Sequence, residues 1–107
     1  MTLKVVVVEV KIIRNGGILN PSDLPELNGK VTKTLDQVGY DCLVGLSGRM
    51  PVWAFASLTE VCHPTKGVAT YDPRMGLVVV SRHSDEIPPV GTIVPLKGDE
   101  RKLEVVL

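Results

Sequence analysis

Four short stretches of this chain carry polar groups that a packed core does not require. The first is Ser47-Gly48-Arg49, between an apolar run ending at Leu46 and a segment opened by Pro51. A turn between a strand end and a helix start presents free backbone N–H groups at the positive end of a helix dipole, which suits an anion. Gly48 allows close backbone approach, and Arg49 can fork two hydrogen bonds onto one phosphate. The second is His63, where that helix should stop; a histidine there also serves as a simple partner for the helix dipole. The third is the run Tyr71-Asp72-Pro73-Arg74-Met75-Gly76. Its Asp-Pro pair and trailing glycine are common turn chemistry, which leaves Arg74 at the tip with no structural task. The fourth is Arg82-His83-Ser84, three polar residues at the end of an apolar strand.

Each of these has an ordinary structural reading: a strand-to-helix turn, a helix end, a hairpin turn, a solvated strand end. Their combination carries more. Histidine, aspartate and arginine are the side chains that position metals, shuttle protons and clamp phosphates. Two histidines and one aspartate could bind a transition metal, although their spacing matches no standard zinc motif. The residues by themselves lead to a phosphate-binding site capable of hydrolytic chemistry, and no further.

The elements that must position these groups read as a mixed α/β chain. Leu3 to Ile13 is a β-branched strand, with Val6, Val8, Val10 and Ile12 on one face and Val5, Val7, Glu9, Lys11 and Ile13 on the other. Arg14-Asn15-Gly16-Gly17 is a turn, and Asn20-Pro21-Ser22-Asp23 has the capping chemistry of a helix start. Leu24, Leu27, Val31, Leu35 and Val38 follow at helical spacing, but Pro25 and Gly29 interrupt them. One short helix with irregular chain behind it, or two short helices, would both fit. Cys42 to Leu46 suits a buried central strand. Pro51 belongs in the first turn of a helix running to about Cys62, which His63-Pro64 ends. Gly67–Tyr71 and Leu77–Arg82 form an antiparallel pair around the Asp72–Gly76 turn, and Val90–Leu96 and Leu103–Leu107 supply further short strands. The expectation is one domain over residues 1–107, with two helices covering one sheet face.

Composition narrows the partners. Twelve basic and 12 acidic side chains cancel, which argues against a protein that coats long nucleic acid or DNA with a broad basic face. It leaves room for a compact anion held by a few groups. No run approaches a membrane span, and the apolar Met1–Val10 stretch lacks a basic leader and cleavage site. Cys42 and Cys62 form no C-x-x-C pattern and read as buried free thiols of a cytoplasmic protein. A chain of this size buries only a moderate share of its surface, so oligomerisation is expected.

The segment S-G-R-M-P-V-W, His63 at the helix end, Y-D-P-R-M-G and V-V-V-S-R-H-S together resemble the CRISPR-associated ring nucleases of the third type. The resemblance covers about Leu43 to Ser84, with matching gaps between His63, Asp72 and His83, and is faint outside it. It implies a prokaryotic, cytoplasmic protein with a ferredoxin-like α/β domain that forms a homodimer. It further implies that two dimers sandwich cyclic tetra-adenylate and cut it to linear di-adenylates with manganese, which switches off the antiviral signal of type III CRISPR complexes. By the same resemblance Ser47, Gly48 and Arg49 would cradle phosphates, and His63, Asp72 and Arg74 would act in cleavage. His83 would be a metal ligand, together with Asp72, or a second proton-transfer group. Manganese-dependent 3′-deadenylation of linear RNA, and a module that binds the cyclic messenger without cutting it, are the other two readings.

Overall fold

Seven residues of consecutive valines, glutamate and lysine, Val5–Lys11, form β1 in the computed structural model, which describes residues 3–107. Met1 and Thr2, at the head of the apolar Met1–Val10 stretch, lie outside the described residues. The remaining elements are α1 (Leu24–Val38), β2 (Leu43–Gly48), α2 (Val52–Val61), β3 (Gly67–Asp72), β4 (Gly76–Arg82), β5 (Ile93–Val94) and β6 (Arg101–Val106). They make one six-stranded sheet in the order β5-β4-β3-β2-β1-β6. β1, β2, β3 and β6 run parallel, and β4 and β5 extend one edge through two antiparallel pairings, so that β4 alone runs against the rest.

Parallel neighbours need a crossover, and α1 and α2 are those crossovers. Since β1, β2 and β3 step across the sheet in one direction, crossovers of the same hand place both helices on the same side. Leu27, Val31 and Leu35 of α1 and Ala54 and Leu58 of α2 pack on Val6, Val8, Val10, Val44, Leu46 and Val68 in one continuous core. Ser57 Oγ of α2 donates to Asn28 Oδ1 of α1 at 3.0 Å.

The expected helices-on-one-face architecture is therefore present, as a small mixed α/β domain. The ferredoxin-like order β-α-β-β-α-β differs from the order seen, in which two successive β-α-β units are followed by three strands. The physical reason is the pairing of β1 directly with β2, which leaves no gap for a strand to be inserted between them.

Residues 24–38 form one continuous helix of 15 residues instead of an interrupted segment. Pro25 lies in the first turn, where its missing N–H would have had no intrahelical partner anyway. Gly29 is on the exposed side, and three buried apolar side chains outweigh its propensity cost. The chain from Val90 to Leu96 contributes only the two-residue β5.

The second face of the sheet has no helix. Its half nearest the starts of β1–β3 is closed by Val7, Leu43, Ala69, Leu77, Val79 and Ile87. Gly45 has a packing role there: a β-carbon on it would lie 2.8 Å from the Leu77 methyl groups. The half nearest the ends of β1–β3 stays open and polar.

Candidate functional site

The open half carries a groove of about 750 Å³, bordered by Glu9, Ser47, Gly48, Arg49, Pro73 and Lys102 among others. It lies at the carboxyl ends of the parallel strands, where ligands of α/β sheets commonly bind. Ser47 and Gly48 are the last two residues of β2, and Arg49 is the first beyond it. The Ser47 hydroxyl is nearly buried and donates to Glu9 Oε2 at 3.0 Å. Gly48 has φ +139°, and a β-carbon there would stand 2.3 Å from the Val10 carbonyl oxygen. The close approach that Gly48 permits is thus first of all to the neighbouring strand.

Arg49 is exposed and, among the described residues, makes no ion pair or hydrogen bond. Met50 and Pro51 lead into α2, whose N-cap, Pro51, offers no side-chain capping bond. The N–H groups of Val52 and Trp53 are therefore left to solvent or to a ligand, while that of Ala54 donates to the Pro51 carbonyl at 3.0 Å. Pro51 itself stands at the cap with extended backbone, one position ahead of the first helical residue.

Asp72 closes β3 and organises the turn to β4. Its Oδ1 accepts from the Arg74 backbone N–H at 2.8 Å, and Met75 N donates to the Asp72 carbonyl at 3.0 Å. The Arg74 guanidinium bonds the same carboxylate through Nε at 3.2 Å and Nη2 at 3.1 Å. That guanidinium, then the backbone N–H, holds the Asp72 carboxyl below the usual carboxylate range. Arg74 is shifted upward in turn, chiefly by the Asp72 hydrogen bond. At neutral pH the turn therefore presents an ionised, oriented carboxylate beside an exposed, permanently charged guanidinium.

The two histidines lie elsewhere. His63 follows α2, and His83 follows β4; their ring centroids are 4.3 Å apart. His83 Nδ1 meets the Thr65 carbonyl at 3.0 Å, so this nitrogen is the donor. In the neutral ring Nε2 then accepts from Ser81 Oγ at 2.6 Å. The Asp72↔Gly76 and Gly67↔Arg82 pairs mark opposite ends of the β3–β4 ladder. At roughly 3.3 Å per residue that separates the histidines from Asp72 by about 17 Å within one protomer. The fold thus puts Ser47, Gly48, Arg49, Asp72 and Arg74 at the carboxyl ends of the parallel strands and His63 and His83 at the opposite end of the β3–β4 ladder.

That separation bears on manganese. Asp72 and His83 of one chain cannot ligate one ion, both ring nitrogens of His83 are already engaged, and no group of three His, Cys, Asp or Glu suited to a metal occurs among the described residues. The pair does not fit a metal site within a single protomer.

Glu9 and Lys102 are charged groove residues that the motif reading did not single out and that meet in the structure. Glu9 pairs in register with Ser47 across β1 and β2, and its Oε1 lies 3.2 Å from Lys102 Nζ of β6. The signal for Glu9 is visible in sequence as a carboxylate interrupting a run of valines. Lys102 has no comparable signal, since β6 is brought beside β1 only by the fold.

Residues 12–95 match the family described as "CRISPR-associated protein (Cas_csx3)". An "Uncharacterized protein" of Aquifex aeolicus (strain VF5) is 37% identical over 81 residues, which span 75% of this chain and 70% of that protein. No described helix is long and apolar enough to cross a membrane. The matched span contains the strand-to-helix turn, both histidines and the Asp72–Arg74 turn, and the chain belongs to the CRISPR-associated protein (Cas_csx3) family.

Proposed function

We propose that this protein is a ring nuclease that opens cyclic tetra-adenylate into linear di-adenylates. The observation that carries the reading is a groove at the ends of the parallel strands lined by Ser47, Gly48 and Arg49 on one side and by Tyr71 and Pro73 on the other, with Asp72 and Arg74 flanking Pro73 in the same turn. Arg49 and the α2 amides bind phosphate, and Gly48 shapes the strand end that leads to them. Arg74 stabilises charge on the phosphoryl oxygens as the ribose 2′-hydroxyl attacks in line and the bond to the 5′-oxygen breaks, which leaves a 2′,3′-cyclic phosphate and, on protonation, a 5′-hydroxyl. In this reading the ionised Asp72 carboxylate, which holds Arg74, takes the proton from the attacking hydroxyl.

His63 supplies the second proton-transfer group, and the distance across β3 requires that it come from another copy of the chain. A symmetric assembly around a symmetric ring meets that requirement, with two dimers facing each other across the ligand. Manganese enters this reading by the family resemblance alone, since Asp72 and His83 of one protomer do not fit it.

The test is a chromatographic product assay on cyclic tetra-adenylate, with and without manganese, beside a linear RNA ending in adenosines. Conversion of the ring to linear di-adenylate is expected, with Asp72→Ala losing turnover while ring binding stays within a few-fold. Unchanged turnover in Asp72→Ala would remove that residue's role. An intact ring beside a shortened linear RNA would replace the reading with 3′-deadenylation, and an intact ring bound tightly would leave a non-catalytic binding module.

A further inference from the structure

Two hollows meet on the open half of the sheet. The groove of about 750 Å³ and a neighbouring one of about 340 Å³ share Glu9, Ser47, Tyr71 and Lys102. Their combined lining holds the carboxylates of Glu9, Glu100 and Glu104 against the cations of Lys11, Arg49 and Lys102. A surface built for bare phosphate would be net positive. A balanced one suits a ligand that has an anionic part and a separate part rich in hydrogen-bond donors, as a ribonucleotide has.

Within that balance the carboxylates differ in how they are held. Glu100 is turned onto its own loop, accepting from the backbone N–H groups of Lys97 and Gly98. Glu9 is fixed from both sides, by the Ser47 hydroxyl at 3.0 Å and by Lys102 at 3.2 Å, and its carboxylate still faces the groove with unused acceptor capacity. It stands on β1, one strand from the turn that leads into α2. Dinucleotide sites use the same division of labour: the phosphates lie at a helix start, and an acidic side chain elsewhere on the parallel sheet accepts the ribose 2′-hydroxyl. Tyr71, about 38% exposed at the groove wall, offers an aromatic face to the attached base.

We propose that Glu9, braced by Ser47 and Lys102, reads a ribose 2′-hydroxyl of the ligand and makes the groove selective for ribonucleotides over deoxyribonucleotides. The inference rests on the nucleotide-binding part of the reading above and does not need cleavage. Ser47 and Lys102 act as positioning residues for the carboxylate.

The test is equilibrium binding of 5′-phosphorylated di-adenylate and of its fully 2′-deoxy counterpart to the full chain, in chelator. The wild-type protein is expected to prefer the ribonucleotide by at least about tenfold, the range of a hydrogen bond to a charged acceptor. Glu9→Ala should bring that ratio close to one. Lys102→Ala, which removes one of the two braces of that carboxylate, should weaken both ligands and lower the ratio by less than Glu9→Ala does. The ratio is the readout because the change in groove charge acts on both ligands alike. If Glu9→Ala does not fold, Glu9→Gln keeps the side-chain volume and should still lower the ratio several-fold.

No preference in the wild-type protein, no binding of either probe, or an unchanged ratio in the Glu9 variants would each overturn the proposal. Ribose preference beside an intact ring in the product assay would leave this inference standing and remove ring cleavage. Ring cleavage without ribose preference would do the reverse.

Discussion

Gly48 sits where two demands meet, the register of β1 with β2 and the approach to α2. Its positive φ and the 2.3 Å distance from a built β-carbon to the Val10 carbonyl make any side chain there costly. Gly48→Ala should destabilise the protein by more than about 1 kcal/mol, read as a lower urea midpoint. A variant as stable as wild type would show that the strand end can shift at no cost. Arg49→Ala, on an exposed side chain, should leave stability within about 0.5 kcal/mol. The thiols are the residue-scale counterpart in the core. Burial pushes the Cys62 thiol up to about 12 from its ordinary 9.0, and Cys42 moves the same way for the same first reason. In the unfolded chain both ionise near their ordinary value, so stability is fully present below about pH 9 and is lost as pH rises toward 12. Melting temperatures should be flat from neutral pH to about 9 and fall above it. A thiol reagent at pH 8 should label neither cysteine until denaturant is added.

At the scale of elements, α1 shows why local interruptions did not break a helix. Its apolar stripe at Leu27, Val31 and Leu35 is completely buried against the sheet. Each such side chain contributes about 1.5–3 kcal/mol on burial, against roughly 1 kcal/mol for a glycine in a helix. Gly29 has open space where a β-carbon would go and no positive φ. Gly29→Ala should therefore raise stability by about 0.5–1 kcal/mol, seen as a higher melting temperature with unchanged ring binding. An unaltered or lower melting temperature would mean that the exposed face of α1 does something besides holding the helix together. The β3–β4 hairpin has another function. It carries the Asp72–Arg74 turn at one end and the His63–His83 pair beside the other, so its length sets the distance between the two polar clusters.

For the whole molecule, that distance turns a site prediction into a prediction about assembly. If one cleavage centre needs Asp72 and His63, and one chain holds them about 17 Å apart, the two must come from different copies. Mixing inactive Asp72→Ala with inactive His63→Ala should then restore measurable cleavage, because some shared sites receive one intact member of each kind. Activity that stays at zero across all mixing ratios would count against a shared centre. The zero net charge of the chain favours such self-association over wrapping of long nucleic acid.

The succession of strands and helices was legible from residue pattern, because valine-rich alternation, helical spacing and turn residues are local properties. The same holds for the four polar stretches, whose residue types announce phosphate and proton chemistry wherever they fall. Which of them face one another was not legible. His63, Asp72 and His83 are near in sequence, and a strand between them reads as a short step. In space it is a rigid spacer that holds Asp72 at one end of the strand and both histidines near the other. Glu9 and Lys102, 93 positions apart along the chain, meet only because β6 pairs with β1. Residue pattern determined the mixed α/β class of the fold, and the four polar stretches named the groups from which a site can be proposed. The tertiary structure alone decided how that chemistry is divided, because strand order and register, which depend on long-range pairing, set every distance between the groups.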